Sequence, residues 1–358
     1  MDKVALVAIT KHGVEKIRTL TSNMPSADLY YMKKFAYGDE KERGITLFEG
    51  SVRLQLPELF ERYDGIIMVI SLGAVVRMIA PILKDKKTDP AVVVIDDKGE
   101  FAISVLSGHV GGANDLTREV AEYLEASPVI TTASDVQKTI PVDIFGREFG
   151  WVIEDETHVT PVSASVVNEE RLVIIQESGE RNWWKHDREL PKHMKLVDSL
   201  EAAKGESFKA ALLITHRILS EAEKELFLEN GVVYRPKSVL LGIGCNRGTS
   251  KNEIKKVINE TLIENNISIH SVKGIATIDL KKDEEGLLEV CNEMGWMFTF
   301  YTPAELNKMP MKNPSDTVFK YTGAYGVSEP AAMLASGTNE LVLEKKKSGN
   351  VTISIAVK

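Results

Sequence analysis

The sequence predicts an α/β protein of several domains, its mostly parallel or mixed sheets sandwiched between helices, with a small α/β domain in the middle. Three observations carry that expectation. Short, near-continuous apolar runs alternate with helical stretches through the first third, the pattern of parallel strands covered on both faces. The length of 358 residues exceeds one ordinary core, so two or three domains are expected. Glycine-rich turns at 107–115, 241–250 and 321–329 each read as a strand running into a bare turn and then a helix. Such turns set backbone N–H groups at a positive helix end and make seats for anions. Three of them suggest a large ligand with several negative groups.

The first domain, residues 1–137, opens with a strand at Val4 to Ile9 and a helix from Gly13 to Leu20. A buried strand at Ile66 to Ile70 leads to a helix from Ala74 to Leu83, interrupted near its end by Pro81. Ala91 to Ile95 and Phe101 to Val105 flank Asp96-Asp97-Lys98-Gly99, a turn sequence that predicts a hairpin. Asn114 or Asp115 is placed to cap a helix to Leu124, and Pro128 to Thr132 is the next strand. Signals are weaker in the middle domain, 138–236. It holds Val152-Ile153, a helix around Ser163 to Glu169, a strand at Leu172 to Ile175 and a polar loop from Glu177 to Asp187. A strand at Ala211 to Thr215 and a charged helix from Ser220 to Glu229 follow. Tyr234-Arg-Pro-Lys237 reads as a linker, because proline holds its predecessor extended.

The last domain, 237–358, starts with a strand at Val239 to Ile243. Ser250 with Glu253 has the spacing of a capping box for a helix to Glu264. A strand at Ile269 to Ile278, a helix from Asp283 to Met294 and a strand at Trp296 to Tyr301 come next. Pro303 to Lys308 is a helical turn and Val318 to Tyr321 another strand. A helix from Glu329 to Ala335 tolerates Pro330 in its first turn. The lysine run at 345–347 and Val351 to Val357 close the chain as sheet-edge strands.

Charged residues make up 27% of the chain and hydrophobic residues 43%, the proportions of a soluble globular protein. A formal net charge of −8 with no dominant basic stretch argues against nucleic acid as a partner. The same charge repels a polyanion at long range, so an anion site has to gather local cations. Arg77 with Lys84, Lys86 and Lys87, Arg247 with Lys251, and Lys281 with Lys282 are the candidates. Two cysteines far apart, Cys245 and Cys291, point to a reduced cytosolic chain. The N-terminus lacks the shape of a signal peptide. The longest apolar stretch, 65–76, falls short of the roughly 20 residues of a membrane span. The expectation is a cytoplasmic protein with no membrane partner.

His109, set between glycines with Ser107, Asn114 and Asp115 nearby, is either a general base or a histidine that only hydrogen-bonds its loop. Ser107 lacks the elbow motif of serine hydrolases. Gly242-x-Gly244-x-x-x-Gly248 misses the dinucleotide spacing and has no supporting acid about 20 residues on, which sets NAD and FAD aside. Cys245 reads as a small residue filling a tight turn near a helix N-terminus. Arg247 offers a planar fork suited to a carboxylate. Glu329, at a helix N-terminus, is a catalytic base or a first-turn helix acid. These residues alone do not fix a reaction.

Their motifs, however, resemble a known family. Leu72-Gly-Ala-Val-Val-Arg77, Ala80-Pro81, Asp85-Lys-Lys-Thr-Asp-Pro90, Ser107-Gly-His-Val-Gly-Gly-Ala-Asn114 and Val129-Ile-Thr-Thr-Ala-Ser-Asp135 are similar to the N-terminal domain of the CbiG family. Gly242-Ile-Gly-Cys-Asn-Arg-Gly-Thr-Ser250, Ala276-Thr-Ile-Asp-Leu-Lys281-x-Asp-Glu284-x-Gly-Leu287 and Gly323-Ala-Tyr-Gly-Val-Ser-Glu-Pro-Ala-Ala332 are similar to its C-terminal domain. The likeness runs in order over nearly the whole chain. Asn246 stands where a second basic residue beside Arg247 is expected.

The family consists of cobalt-precorrin-5A hydrolases of the oxygen-independent cobalamin (vitamin B12) pathway. The resemblance implies a cobalt tetrapyrrole substrate with acetate and propionate arms. Its ring A lactone is opened by water, and the former meso carbon leaves as acetaldehyde to give cobalt-precorrin-5B. No protein-bound cofactor and no protein metal site is implied, because cobalt arrives with the substrate and the macrocycle accepts the electrons. By the same resemblance His109 or Glu329 activates the water, and the N–H groups from Gly108 to Gly112 face the oxyanion. Substrate binding falls to Arg77, Lys86, Gly108, Gly111, Gly112, Asn114, Thr131, Thr132, Gly242, Gly244, Arg247, Gly248, Lys281 and Gly323. The C-terminal third also resembles CobE, a stand-alone protein of the oxygen-dependent pathway. A non-catalytic tetrapyrrole carrier is therefore the alternative. A homodimer, and transient contact with neighbouring methyltransferases of the pathway, stay open at this point.

Overall fold

Two units emerge in the computed structural model, Met1–Ile144 and Phe145–Lys358, which describes every residue except Asp2 and Asn313. The first is organised by a run of strands whose residues are apolar at nearly every position. They are β1 (Val4–Ala8), β2 (Asp28–Met32), β3 (Thr46–Phe48), β4 (Gly65–Val69), β5 (Ala91–Ile95), β6 (Phe101–Leu106) and β7 (Ser127–Val129). The helices are α1 (Lys11–Leu20), α2 (Leu56–Arg62), α3 (Leu72–Ile79), α4 (Ala113–Leu124) and α5 (Ala133–Gln137). A seven-stranded sheet results, in the order β3-β2-β1-β4-β5-β6-β7.

Period-two alternation explains the all-apolar strands. Leu6, Ile67 and Val93 point into one core with Val14 and Ile17 of α1 and Leu116 and Val120 of α4. Val7, Met68 and Val94 point into the other with Leu56 and Leu59 of α2 and Val75 and Ile79 of α3. Strands β1 to β5 are parallel, while β5 and β6 form the antiparallel hairpin expected around 96–99. Strand β7 then runs parallel to β6. That single reversal matters for the site. The loop leaving β6 emerges at the edge where β5 begins, and there the Ser107 hydroxyl donates to the Asp89 carbonyl at 2.9 Å. The segment 24–62 gave no clear expectation, since its buried tyrosines depend on long-range partners. Tyr30 meets the Tyr63 hydroxyl, and Tyr31 donates to Glu40.

The second unit holds two five-stranded sheets. One contains β8 (Val152–Ile153), β9 (Leu172–Gln176), β10 (Met194–Val197), β11 (Ala210–Ile214) and β12 (Gly231–Arg235), ordered β10-β9-β11-β12-β8. Its helices are α6 (Val159–Val167), α7 (Leu200–Ala203) and α8 (Glu221–Phe227). Tyr234 and Arg235, expected in a linker, instead end the buried strand β12. Tyr234 packs edge-on to Phe145, and the Arg235 guanidinium donates to the Thr215 carbonyl and to Glu154.

The other sheet contains β13 (Val239–Cys245), β14 (Val272–Ile278), β15 (Met297–Tyr301), β16 (Leu343–Ser348) and β17 (Val351–Val357), ordered β15-β14-β13-β17-β16. Helices α9 (Lys251–Glu264) and α10 (Glu285–Met294) cover one face, α11 (Pro303–Leu306) and α13 (Ser328–Ser336) belong to the other side, and α12 (Asp316–Thr322) lies between these two in the chain. Three expectations are corrected here. Val318 to Tyr321 belongs to a helix, because Ser315 Oγ accepts the Val318 N–H and caps it. Strand β17 is interior, paired to β13 and β16, so β16 forms the edge. Ser250 caps α9, but the Glu253 carboxylate turns to the Asn350 N–H rather than closing a capping box.

Main-chain bonds also stitch the two sheets of this unit together. Ile218 N donates to Asn266 O at 2.7 Å, and Ser268 N donates to His216 O at 2.8 Å. Among the described residues no helix is long and apolar enough to cross a membrane.

Candidate active site

The loop between β6 and α4 is tight enough that glycine is required twice. A Cβ on Gly111 would lie 2.3 Å from Ser107 Cβ, and one on Gly108 would lie 2.8 Å from Asn114 Oδ1. The loop satisfies part of its own backbone. Gly112 N donates to His109 O, Ala113 N to Ser107 O, and Asn114 N to Gly108 O. The Gly112 N–H is therefore spent, whereas the Gly108 and Gly111 N–H groups meet no acceptor among the described residues.

Asn114 does not cap α4. Gly112 is the residue at the cap, and Asn114 is buried at the second position of the helix. Its Nδ2 donates to Thr132 Oγ1 at 3.0 Å and to Asp135 Oδ2 at 2.9 Å, while Oδ1 accepts from Ser104. Asn114 thus positions Asp135, one of the histidine's partners.

His109 is held between two carboxylates. Its Nε2 lies 2.7 Å from Asp135 Oδ2, and its Nδ1 lies 3.1 Å from Asp143 Oδ1. Ser134 Oγ stands 3.0 Å from the same Nε2. An ionised carboxylate can only accept, so bonding to both at once takes a proton on each ring nitrogen, an arrangement that favours the imidazolium. The hydrogen bond to Asp143 is the main influence raising the His109 pKa; burial opposes it, and Asp135 adds to the rise. Burial pushes both aspartates up, but hydrogen bonds from Arg118 and His109 on Asp135, and from His109 on Asp143, outweigh it and hold both low. A charged ring cannot take a proton until it has given one up, so the base role expected for His109 belongs to its neutral form. Asp135 lies at the end of the quoted N-terminal motif, yet nothing in the sequence pairs it or Asp143 with a histidine 26 and 34 positions earlier.

Other N-terminal candidates share this edge of the sheet. Arg77 is exposed in the last turn of α3, which returns from the end of β4 toward the start of β5. Lys86 is exposed in the segment before β5, and its charge helps hold Asp143 low. Thr131 is exposed after β7, whereas the Thr132 hydroxyl is taken by Asn114.

The second glycine turn is not the anion seat expected of it. Gly242 lies inside β13, paired to both β14 and β17, Gly244 follows it in the strand paired to β17, and the turn proper begins at Asn246. Gly242 is a packing residue. Its missing Cβ would stand 1.8 Å from the Ser328 carbonyl oxygen, so glycine lets α13 lie directly on the strand. The Gly248 N–H donates to Glu284 Oε1 at 2.7 Å. Lys281 Nζ donates to the other oxygen of Glu284 at 2.9 Å, and Arg247 pairs with Asp283 at 2.8 Å and with the Leu280 carbonyl. The guanidinium expected to clamp a ligand is answered within the chain.

Gly323 caps the C-terminus of α12 with φ +73°, so the third turn joins two helices rather than a strand and a helix. Glu329 is buried in the first turn of α13, and its Oε1 accepts the Lys345 N–H at 3.1 Å. Burial pushes the Cys245 thiol up to about 11, consistent with a small filler and not a nucleophile. The second and third turns nevertheless meet. Gly244, Arg247, Lys281, Tyr321 and Ser328 line one cavity of about 720 Å³ within the last sheet's half of the unit.

Comparison with known proteins gives a consistent identity along the chain. Residues 55–135 match the model "Cobalamin synthesis G N-terminal", 140–236 "Cobalamin biosynthesis central region", and 239–356 "Cobalamin synthesis G C-terminus". The chain is 64% identical to the cobalt-precorrin-5A hydrolase of Priestia megaterium over 99% of this chain and 94% of that one. It is 31% identical to the cobalt-precorrin-5A hydrolase of Salmonella typhimurium, over 99% and 98%. Its C-terminal part is similar to protein CobE of a Sinorhizobium species, 29% identical over 33% of this chain and 79% of that one. Full-length likeness of this kind, with all three regions in order, leaves one assignment: the chain belongs to the CbiG family of cobalamin-biosynthesis hydrolases.

Proposed function

We propose that this chain hydrolyses cobalt-precorrin-5A, opening the ring A lactone and releasing acetaldehyde to give cobalt-precorrin-5B. The observation that carries the reading is the 64% identity to the Priestia megaterium hydrolase over nearly both whole chains. The loop around His109 supports it chemically.

Water adds to the lactone carbonyl, losing a proton to the bulk solvent, and the lactone C–O bond breaks with its electron pair on the extruded carbon's oxygen. The His109 imidazolium donates its proton to that leaving alkoxide, and the Gly108 and Gly111 N–H groups face the carbonyl oxyanion. Once neutral, His109 takes the same proton back as the hydroxyl collapses to the aldehyde. The C–C bond then breaks, with its electrons passing into the conjugated macrocycle and its cobalt. No protein-bound cofactor enters this scheme. Asp135 and Asp143 hold the ring between them and favour its return to the cation. Arg77 and Lys86 serve substrate carboxylates at this edge, with Thr131 available as a hydroxyl contact.

The CobE likeness of the C-terminal part favours one other reading, a carrier that binds the macrocycle without reaction. Incubating the full chain anaerobically with cobalt-precorrin-5A, while following acetaldehyde and the macrocycle's absorption, separates the two. Aldehyde in step with the spectral change is the expected result. A spectral shift on binding with no aldehyde would establish the carrier instead.

A further inference from the structure

We infer that Lys345 and Lys347 form a carboxylate-recognition subsite that holds acid arms of the tetrapyrrole at the C-terminal cavity. This rests on the hydrolase reading above. The cavity of about 720 Å³ is lined by four cations, Arg247, Lys281, Lys345 and Lys347, and by no carboxylate among the described residues. In a chain of net charge −8 that is a local reversal of sign.

The four cations are not equivalent. Arg247 pairs with Asp283 at 2.8 Å and approaches Glu284 at 3.6 Å, and Lys281 pairs with Glu284 at 2.9 Å. Two internal carboxylates thus answer two of the cations. Lys345 and Lys347 are exposed and have no acidic partner among the described residues.

Their direction differs from that of the lysine between them. The β16–β17 register is irregular between Leu343 and Lys346, and Lys345 and Lys347 line the cavity while Lys346 pairs with Glu264 on α9. Same-face neighbours on a strand stand about 7 Å apart, a span that two adjacent flexible acid arms on one rim of a macrocycle can bridge. Tyr321, 76% exposed, adds a flat aromatic wall beside them.

The test compares two corrins on the full chain by tryptophan fluorescence quenching: dicyanocobyrinic acid, a polycarboxylate, and dicyanocobinamide, its amidated counterpart. The wild type is expected to bind the polycarboxylate more tightly. K345Q/K347Q should lose roughly tenfold or more of that affinity and show a shallower salt dependence, while K346Q binds as the wild type does. Equal affinity of wild type and K345Q/K347Q would overturn the subsite, and so would a wild type that binds neither corrin or both equally. The hydrolase reading fails separately. Lysine-dependent binding without acetaldehyde from cobalt-precorrin-5A would remove the hydrolase and keep the subsite. Acetaldehyde release with an unchanged KM in K345Q/K347Q would do the reverse.

Discussion

Glu284 Oε1 accepts the Gly248 N–H at 2.7 Å, so the turn opening α9 is filled by a carboxylate from the segment that opens α10. The Glu284 side chain is 3% exposed, and Lys281 closes over its other oxygen. An anion from outside could occupy this turn only by displacing it. The turn acts as a lock between two helix starts, and recognition passes to cations that have no such partner.

Replacing Glu284 by Gln tests the lock. Glutamine keeps the size but removes the charge that Lys281 and Arg247 meet, and a loss of about 2 kcal/mol is expected in urea unfolding at pH 7. Burial pushes the Glu284 carboxyl up, but the bonds from Lys281 and Gly248 outweigh it and leave the pKa below the usual value. As pH falls, the unfolded glutamate is protonated first, and the native advantage disappears through the lower native pKa. Below about pH 5 the stability of E284Q should therefore vary less steeply with pH than that of the wild type.

For His109 the sign is opposite. Its raised pKa stabilises the native state fully below the unfolded value of about 6.5, and that contribution is lost as pH rises through the native value. Acetaldehyde release that needs the imidazolium should fall over the same high-pH limb. D143N removes the largest upward influence and should move the limb to lower pH. H109A should lower kcat by about a hundredfold or more. An unmoved limb in D143N would exclude His109 as the titrating acid.

Two glycines of the second motif are expected to behave differently. In G242A the new methyl would meet the Ser328 carbonyl at 1.8 Å and the Ala332 nitrogen at 2.8 Å, both backbone atoms that cannot swing aside. A loss of about 3 kcal/mol is expected. G248A places a methyl in open space at φ +72° and should cost about 1 kcal/mol. Chemical unfolding of the two variants side by side checks the order.

Cys245 and Cys291 are both pushed up to about 11 by burial. At pH 8 about 0.1% of each is thiolate, so iodoacetamide should label the native chain slowly and the urea-unfolded chain rapidly. Intact-mass measurements over time give both rates, and fast native labelling at Cys245 would contradict its raised pKa.

Much of the architecture was legible because it is written in local pattern. The all-apolar runs at β1, β4 and β5 and the turn at 96–99 specify a covered parallel sheet with one hairpin. Val318-Phe-Lys-Tyr321 misled because its alternation imitates a strand, while the cap from Ser315 decides for a helix. The His109 loop was legible as a site, but its electrostatics were not. The charge state of that ring depends on Asp135 and Asp143, which only the fold brings to it. Gly242 showed the same limit, since a glycine needed for helix packing is indistinguishable in sequence from one needed for a turn.

The main-chain stitches between 216–218 and 266–268 bear on how this chain could be shortened. Cutting at the proline after β12 to leave a CobE-sized fragment would strip Asn266 O and Ser268 N of their partners. The fragment would carry a raw, hydrogen-bond-hungry rim, an invitation to self-association. The middle sheet is in that sense a built-in cover for its neighbour.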